Sequence, residues 1–165
     1  MKGLADRFVP GAERLLSSLA YLCGRLLLLV VTVQFAIVLA RYLFAANYLW
    51  LQELVIYLHA SIFMFAAAWG LACNKHVRID VIWGRLSTPG KRRIEWFGTG
   101  LLLLPMMATI FVTSLPYVQQ SWLIAEGSPE VSGLPGLFLL KTLLPVFAIL
   151  MVLAGLTCLS RLKQR

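Results

Sequence analysis

Charge is scarce in this chain. Only 13% of its 165 residues are Asp, Glu, Lys or Arg, and only seven of those are acids. Ordinary soluble domains carry about 25% charged and roughly 45–50% apolar residues. At 60% hydrophobic, the chain lacks the polar groups to cover a globule in water, so lipid is the expected solvent. Cysteine is also scarce. Cys23, Cys73 and Cys158 are odd in number, far apart and set among apolar residues. No CxxC or His/Cys spacing suggests a metal, and small packing residues are the simpler reading. Catalytic patterns are missing too. There is no GxSxG, HExxH or glycine-rich phosphate loop, and Ser61, Ser114, Ser121 and Ser132 have no His/Asp constellation around them. The chain therefore reads as neither an enzyme nor a cofactor carrier. No repeat, low-complexity tract or soluble linker divides it, so residues 1–165 read as a single membrane domain.

Long apolar runs are what the sequence has in place of charge. From Arg14 to Phe44 only Arg25, Gln34 and Arg41 interrupt the run. A helix over residues 14–44 would measure about 46 Å at ~1.5 Å per residue, against a hydrocarbon core about 30 Å thick. Such a helix must tilt or begin in the head-group layer, with Arg14 and Arg25 near the surface and Arg25 reaching toward phosphates. The basic head is not followed by a convincing small-residue cleavage site, so this segment reads as a retained first span and not a signal peptide. Residues 1–13 are polar and expected to be mobile at their start.

The remaining segments follow in order. Asn47 is a candidate N-cap for a second span running to about residue 73. Residues 77–86 mix Val77, Ile79, Val81, Ile82 and Leu86 with Arg78, Asp80 and Arg85. They are too short and too charged to cross, and fit an amphipathic helix lying in the interface. Ser87-Thr88-Pro89-Gly90 has the character of a helix start. The third span covers about 91–115, with an extension past Pro116 toward 125 left open, and Pro105 should kink it. Residues 126–135, EGSPEVSGLP, are the clear loop. A fourth span covers about 136–160, with Lys141 near its start and Pro145 inside. The expected fold is thus all-α and integral to the membrane, with four transmembrane helices of about 15–43, 48–73, 91–115 and 136–160.

Orientation follows from the bases. Lys2, Arg7, Arg14 and Arg25 lie at the start, Lys75, Arg78, Arg85, Lys91, Arg92 and Arg93 between spans two and three, and Arg161, Lys163 and Arg165 at the end. Only Arg41 and Lys141 lie near the opposite mouths. The positive-inside rule then puts both termini in the cytoplasm. It also explains the net charge of +8 without nucleic acid, for which no KH, RRM or helix-turn-helix pattern is present.

The polar residues left inside or beside the spans are the candidates for function. Gln34 and Arg41 are seven apart, hence on one face, which should meet protein and not acyl chains. Arg41 and Glu53 should lie at similar depth across a short connection. A salt bridge between them, or from either to a partner subunit, predicts that charge reversal at both positions partly restores what reversal at Glu53 removes. Turning 100° per residue puts Tyr57, Ala60, Met64, Ala67 and Leu71 on the face of Glu53, and Gln52, His59, Ala66 and Gly70 on another; small residues there let a second backbone approach. Proton relay through His59 would need further acids or histidines at membrane depth, so a neutral histidine at a helix contact is the better reading. His76 and Asp80 are four apart but have no third ligand close by, and fit a hydrogen-bonded turn or a docking loop better than a metal site. Lys141, with Glu126 or Glu130, is placed to close the outer loop over helix four.

Together these residues resemble a known pattern. Four spans, Arg41-Tyr42 closing the first, Trp50-x-x-Glu53 opening the second, Asn74-Lys75-His76-Val77-Arg78-Ile79-Asp80 after it, and Ser128-x-Glu130-x-Ser132…Leu134-Pro135 with Lys141 and Pro145 are similar to the small membrane subunit of tripartite ATP-independent periplasmic (TRAP) transporters, the DctQ-like family. The resemblance covers about residues 15–160. One departure is Gln52, where many relatives pair a second acid with Glu53. The resemblance implies a bacterial inner-membrane scaffold that binds a large membrane subunit and helps dock a periplasmic solute-binding protein. The large subunit imports an organic anion, often a carboxylate, driven by an ion gradient. Subunit-interface candidates are Arg41, Trp50, Gln52, Glu53, His59, His76, Arg78 and Asp80, and outer-loop candidates are Glu126, Glu130 and Lys141, with membrane lipids as the remaining partner. The rival readings are a self-contained small exporter acting as a homodimer, which would need a membrane-embedded acid on an essential face, and a quinone-linked or enzymatic membrane subunit, which would need axial histidines or a nucleophile.

Overall fold

The computed structural model describes residues 2–73, 84 and 86–164. The regular elements among them are all helical. Helix α1 spans Lys2–Phe44, α2 spans Leu49–Ala72, α3 runs without a break over Thr88–Leu123, and α4 spans Leu137–Gln164. Each of the four contains a stretch long and apolar enough to cross a membrane. The amphipathic helix expected over 77–86, with the candidates His76, Arg78 and Asp80, falls almost wholly outside the described residues. The start of the chain differs from the sequence reading: it is helical from Lys2, and Pro10 sits inside that helix.

The connections show why the helices stop where they do. Helix α1 ends at Ala45, whose φ of 51° is left-handed, and the Ala46 N–H returns to the Ala40 carbonyl at 3.2 Å. The bond reaches back six positions, one more than a Schellman closure, and the left-handed residue that allows it is alanine where glycine is usual. Ala125 reverses the chain after α3, with φ 44° and the Glu126 N–H on the Ser121 carbonyl at 3.0 Å, the six-to-one closure of a Schellman motif. Asn47 does not cap α2, as the sequence suggests. The N-cap position is Tyr48, which makes no side-chain cap bond, and the Asn47 amide oxygen is taken by other donors. Pro105 acts on the turn before it: Gly98–Leu103 is a π-helical turn, closed by the Leu104 N–H on the Thr99 carbonyl. Proline cannot donate to its i−4 carbonyl and crowds the preceding turn, and a wider turn relieves both problems.

Packing follows two rules. Helices α1 and α2 meet along a heptad seam. Leu16, Cys23, Val30 and Ile37, each seven apart, are buried on α1; Val55 and Ile62 of α2 answer the last three, and Leu16 clusters with Ala68 and Ala72. A repeat of 3.5 residues keeps one stripe against the partner in a left-handed crossing. Gln34 and Arg41 flank this seam and are exposed. Helix α4 touches all three others, and it does so through small residues. Ala68 and Ala72 of α2 and Ala148, Ala154 and Thr157 of α4 are each 1% exposed or less. Without a hydrophobic drive between helices in lipid, close backbone approach supplies the attraction.

Side-chain bonds tie the two ends of the bundle. At one end the Arg161 guanidinium donates to Glu13 Oε1 at 2.7 Å and to the Ala72 carbonyl at 2.6 Å, joining the start of α1, the end of α2 and the end of α4. Both ends of the described chain therefore lie at this pole, the terminal pole. The opposite pole carries the connections 45–48 and 124–136. Hydroxyls along the spans bond back to their own helices, as in Thr32 to Leu28, Thr113 to Thr109 and Thr157 to Leu153, so they can lie in an apolar medium at little cost.

Gly155 marks the tightest approach. A Cβ there would lie 2.7 Å from Leu103 Cδ2 and 3.2 Å from Thr99 Cγ2, against the π-helical turn. Gly155→Leu is expected to destabilise the chain by about 1–3 kcal/mol through overpacking, read as a lower thermal-unfolding midpoint in detergent. Gly24→Ala is the control. A Cβ at Gly24 meets nothing within 4 Å, so its midpoint should hold or rise.

Candidate functional site

The richest polar cluster lies at the loop pole, and Glu53 is at its centre. Glu53 is in the second turn of α2, half-buried, and the short 45–48 connection holds that turn at the pole. Its two carboxylate oxygens are both engaged by the distant 126–136 segment. Oε1 accepts from the Ser128 hydroxyl, and Oε2 accepts from the Leu134 N–H at 2.6 Å. Hydrogen bonds to an ionised acceptor are shorter and about twice as strong as neutral ones, so this one side chain fixes the loop on α2.

The loop is built to be held. The Ser128 N–H donates to the Leu134 carbonyl at 2.9 Å, and the Gly133 N–H closes a turn on the Glu130 carbonyl at 3.1 Å. Ser128 Oγ also accepts from the Glu130 N–H at 3.1 Å. Pro135 biases Leu134 toward extended backbone. Gly133 is required by space: a Cβ there would collide with the Ser128 side chain and lie 2.8 Å from Glu53 Oε1. The tip, residues 129–132, is exposed, and Val131 is fully so.

A second pin holds the base of the loop. Lys141 Nζ, 14% exposed, pairs with Glu126, 28% exposed, and lies 4.1 Å from the Tyr117 ring centroid. The Phe138 N–H donates to the Glu126 carbonyl at 3.3 Å. Trp122 Nε1 donates to Thr142 Oγ1 at 2.9 Å, and its ring meets Phe138 edge-on at 4.6 Å. The Lys141 ammonium, by hydrogen bonding, holds the Glu126 carboxyl below the usual glutamate range.

Arg41 and Glu53 are not partners. Arg41 Nη2 donates to Asn47 Oδ1 at 3.1 Å, and Gln52 Nε2 donates to the same oxygen at 2.8 Å. The sequence places the two charges at one depth correctly, but the nearer donors and acceptors intervene: Asn47 takes Arg41, and the loop takes both oxygens of Glu53. Gln52 acts here as a donor. Glu130 is exposed, and it is Glu126 that meets Lys141. Trp50 is 46% exposed beside this cluster. His59 stands apart from it, exposed on α2, ten residues and about 15 Å below Leu49 at ~1.5 Å per residue. His76, Arg78 and Asp80 lie outside the described residues.

Several participants escaped the sequence reading. Ser128 and the Leu134 N–H are the partners of Glu53, Asn47 is a shared acceptor, and Tyr117, Trp122 and Thr142 complete the Lys141 box. The loop residues were visible as a motif, but nothing in sequence says that a segment 75 positions away meets Glu53. The Arg161–Glu13 pair was missed as well. Its signal was present, since Glu13 is one of only two acids before residue 50.

The residues of this pole suit holding and presenting a loop. Among the described residues no group of three or more His, Cys, Asp or Glu is placed to hold a metal ion. A family model described as "Tripartite ATP-independent periplasmic transporters, DctQ component" matches residues 27–165. No curated protein and no solved structure matches the chain.

Two outcomes test the site. Because Glu53 accepts from a hydroxyl and an amide, Glu53→Arg should not be rescued by Arg41→Glu, and Glu53→Gln alone should cost about 2 kcal/mol of stability; thermal unfolding of the single and double variants checks both. The lowered Glu126 carboxyl sets a pH window. Its stabilising contribution is present above the ordinary value of 4.5 and is lost as pH falls through the lowered folded value. The midpoint difference between the parent chain and Glu126→Gln should therefore be present at pH 7 and vanish on strong acidification.

Proposed function

Because the chain belongs to the DctQ family of TRAP transporter components, we propose that it is the scaffolding small subunit of a complex importing an organic anion, a carboxylate by family habit, under an ion gradient. A DctQ chain is the small subunit of a transporter and not an enzyme, and such subunits work with a large membrane subunit and a periplasmic binding protein. In this reading the chain lies in a bacterial inner membrane. The terminal pole is cytoplasmic, supported by the bases gathered at the chain ends and around residues 75–93. The loop pole is periplasmic, and the pinned, exposed tip at 129–132 is where the binding protein is met.

The observation that carries the scaffold role is the exposure of His59. Its neighbours on the same helical face, Ile56 and Phe63, are also exposed, and Gln52, Ala66 and Gly70 continue that face half-buried. A histidine cannot bond back to its own helix as the serines and threonines do. Turned toward acyl chains about 15 Å from the helix start, it leaves two ring nitrogens unsatisfied at a cost of a few kcal/mol. A protein surface covering that face removes the cost, and the small residue Gly70 lets a backbone come close. Arg41 and Trp50 extend the contact at the loop pole; His76, Arg78 and Asp80 would extend it at the other.

The test is co-purification. A tagged chain carrying His59→Leu together with Gly70→Leu should retain roughly tenfold less of the large subunit, the equivalent of about 1.4 kcal/mol, with its own unfolding midpoint unchanged. Val112→Leu, on an exposed position of α3, should retain it fully. Undiminished co-purification of the double variant, or solute movement by the chain alone in liposomes, would overturn the reading.

A further inference from the structure

Between α1 and α2, toward the terminal pole, lies an open groove of about 460 Å³. Ala20, Gly24 and Leu27 of α1 and Ala66 and Trp69 of α2 form its floor and walls, with Tyr21 at its rim. The volume falls in the roughly 300–1,000 Å³ range of ligand clefts, yet the lining carries almost no polar group. It arises because small side chains leave the two helices unfilled on one side of the heptad seam.

A cation sits on the rim. The Arg25 guanidinium lies 4.4 Å from the Tyr21 ring centroid and donates to the Tyr21 hydroxyl. Both residues are exposed, and no carboxylate among the described residues pairs with Arg25. Arg25 is twelve residues from Glu13, which Arg161 holds level with the end of α2, and at ~1.5 Å per residue that is about 18 Å along α1. Its side chain is directed back one turn toward the terminal pole, onto Tyr21. A charge without a counter-charge on a membrane-spanning stretch is costly. The guanidinium has donors to spare beyond the one on Tyr21, and the tyrosine hydroxyl, accepting from Arg25, still has its own proton to give.

The geometry points to a binding site for one anionic phospholipid, its phosphate on Arg25 and the Tyr21 hydroxyl and one acyl chain lying in the groove. Charge complementarity selects this occupant. A phosphate supplies the acceptor that Arg25 lacks, at the level to which the side chain reaches, and an acyl chain matches walls with nothing to hydrogen-bond. A partner helix would have to bring its own acid to the rim and gains no polar contact inside. The inference stands whether or not the chain is a transporter subunit, because the site is made by this chain alone.

Native mass spectrometry of the full chain in mild detergent tests it, with phosphatidylglycerol and phosphatidylcholine of the same acyl chains as probes. The parent chain should retain one phosphatidylglycerol in preference to phosphatidylcholine. Arg25→Gln should lower phosphatidylglycerol retention about tenfold, as expected for loss of a charge-assisted contact, and leave phosphatidylcholine unchanged, while Arg25→Lys should keep most of the preference. Gly24→Leu, at a position with no atom within 4 Å of a new Cβ, should fill the groove and reduce both lipids. Unfolding midpoints like that of the parent chain establish that these variants are folded. An unchanged lipid preference in Arg25→Gln, or undiminished retention in Gly24→Leu, would overturn the site. So would disulfide capture of Gly24→Cys by the large subunit in the assembled complex, which would make the occupant protein.

Discussion

One carboxylate, Glu53, decides the shape of the loop pole. Two segments far apart in sequence meet there. A side chain with both oxygens filled by a hydroxyl and a backbone amide is the fastener between them. The consequences spread outward. Gly133 has to lack a side chain, Ser128 has to carry a hydroxyl, and the loop tip is presented by a backbone that is already closed on itself. The second pin, Lys141 on Glu126, holds the loop's base to α4. The loop is thus set by charge at two points, on two helices, with turns between them.

A single rule about polar groups in lipid sorts the rest of the surface. Hydroxyls that bond to the preceding turn need nothing from outside, which is why Thr32, Thr109 and Thr113 sit on exposed positions without consequence. Gln34, His59 and Arg25 have no such local solution for all their donors and acceptors. Each therefore asks for something beyond the chain, and the chemistry of the request differs. An imidazole on a face with small residues suits another helix. A guanidinium on an aromatic rim above an apolar groove suits a phosphate.

Much of the fold was legible because membranes enforce it. Four apolar runs, the bases flanking them and the proline-glycine loop each carry a local signal that lipid makes decisive. The heptad of Leu16, Cys23, Val30 and Ile37 was equally present in the sequence, but the more conspicuous pair Gln34 and Arg41, also seven apart, drew attention to the neighbouring stripe. The site was legible only in part. Glu53, Glu126 and Lys141 stand out as charges in a chain that has few, whereas their partners do not: a serine in a loop, a backbone amide before a proline, an asparagine that resembles a cap. The supposed Arg41–Glu53 pair failed for the same reason, since depth along two helices can be counted from sequence, but rotation and intervening acceptors cannot.

The widened turn at Gly98–Leu103 has a consequence of its own. A π-turn holds one residue more than the regular coil on either side of it, so the two halves of α3 are out of phase with a single continuous wheel. Chain length is therefore adjustable at this joint. Removing one residue there would return the helix to uniform winding while the halves bearing Trp96 and Trp122 kept their facing, since the wide turn absorbs that one residue. Gly155, seated against the same turn, is the gauge that would register such a change.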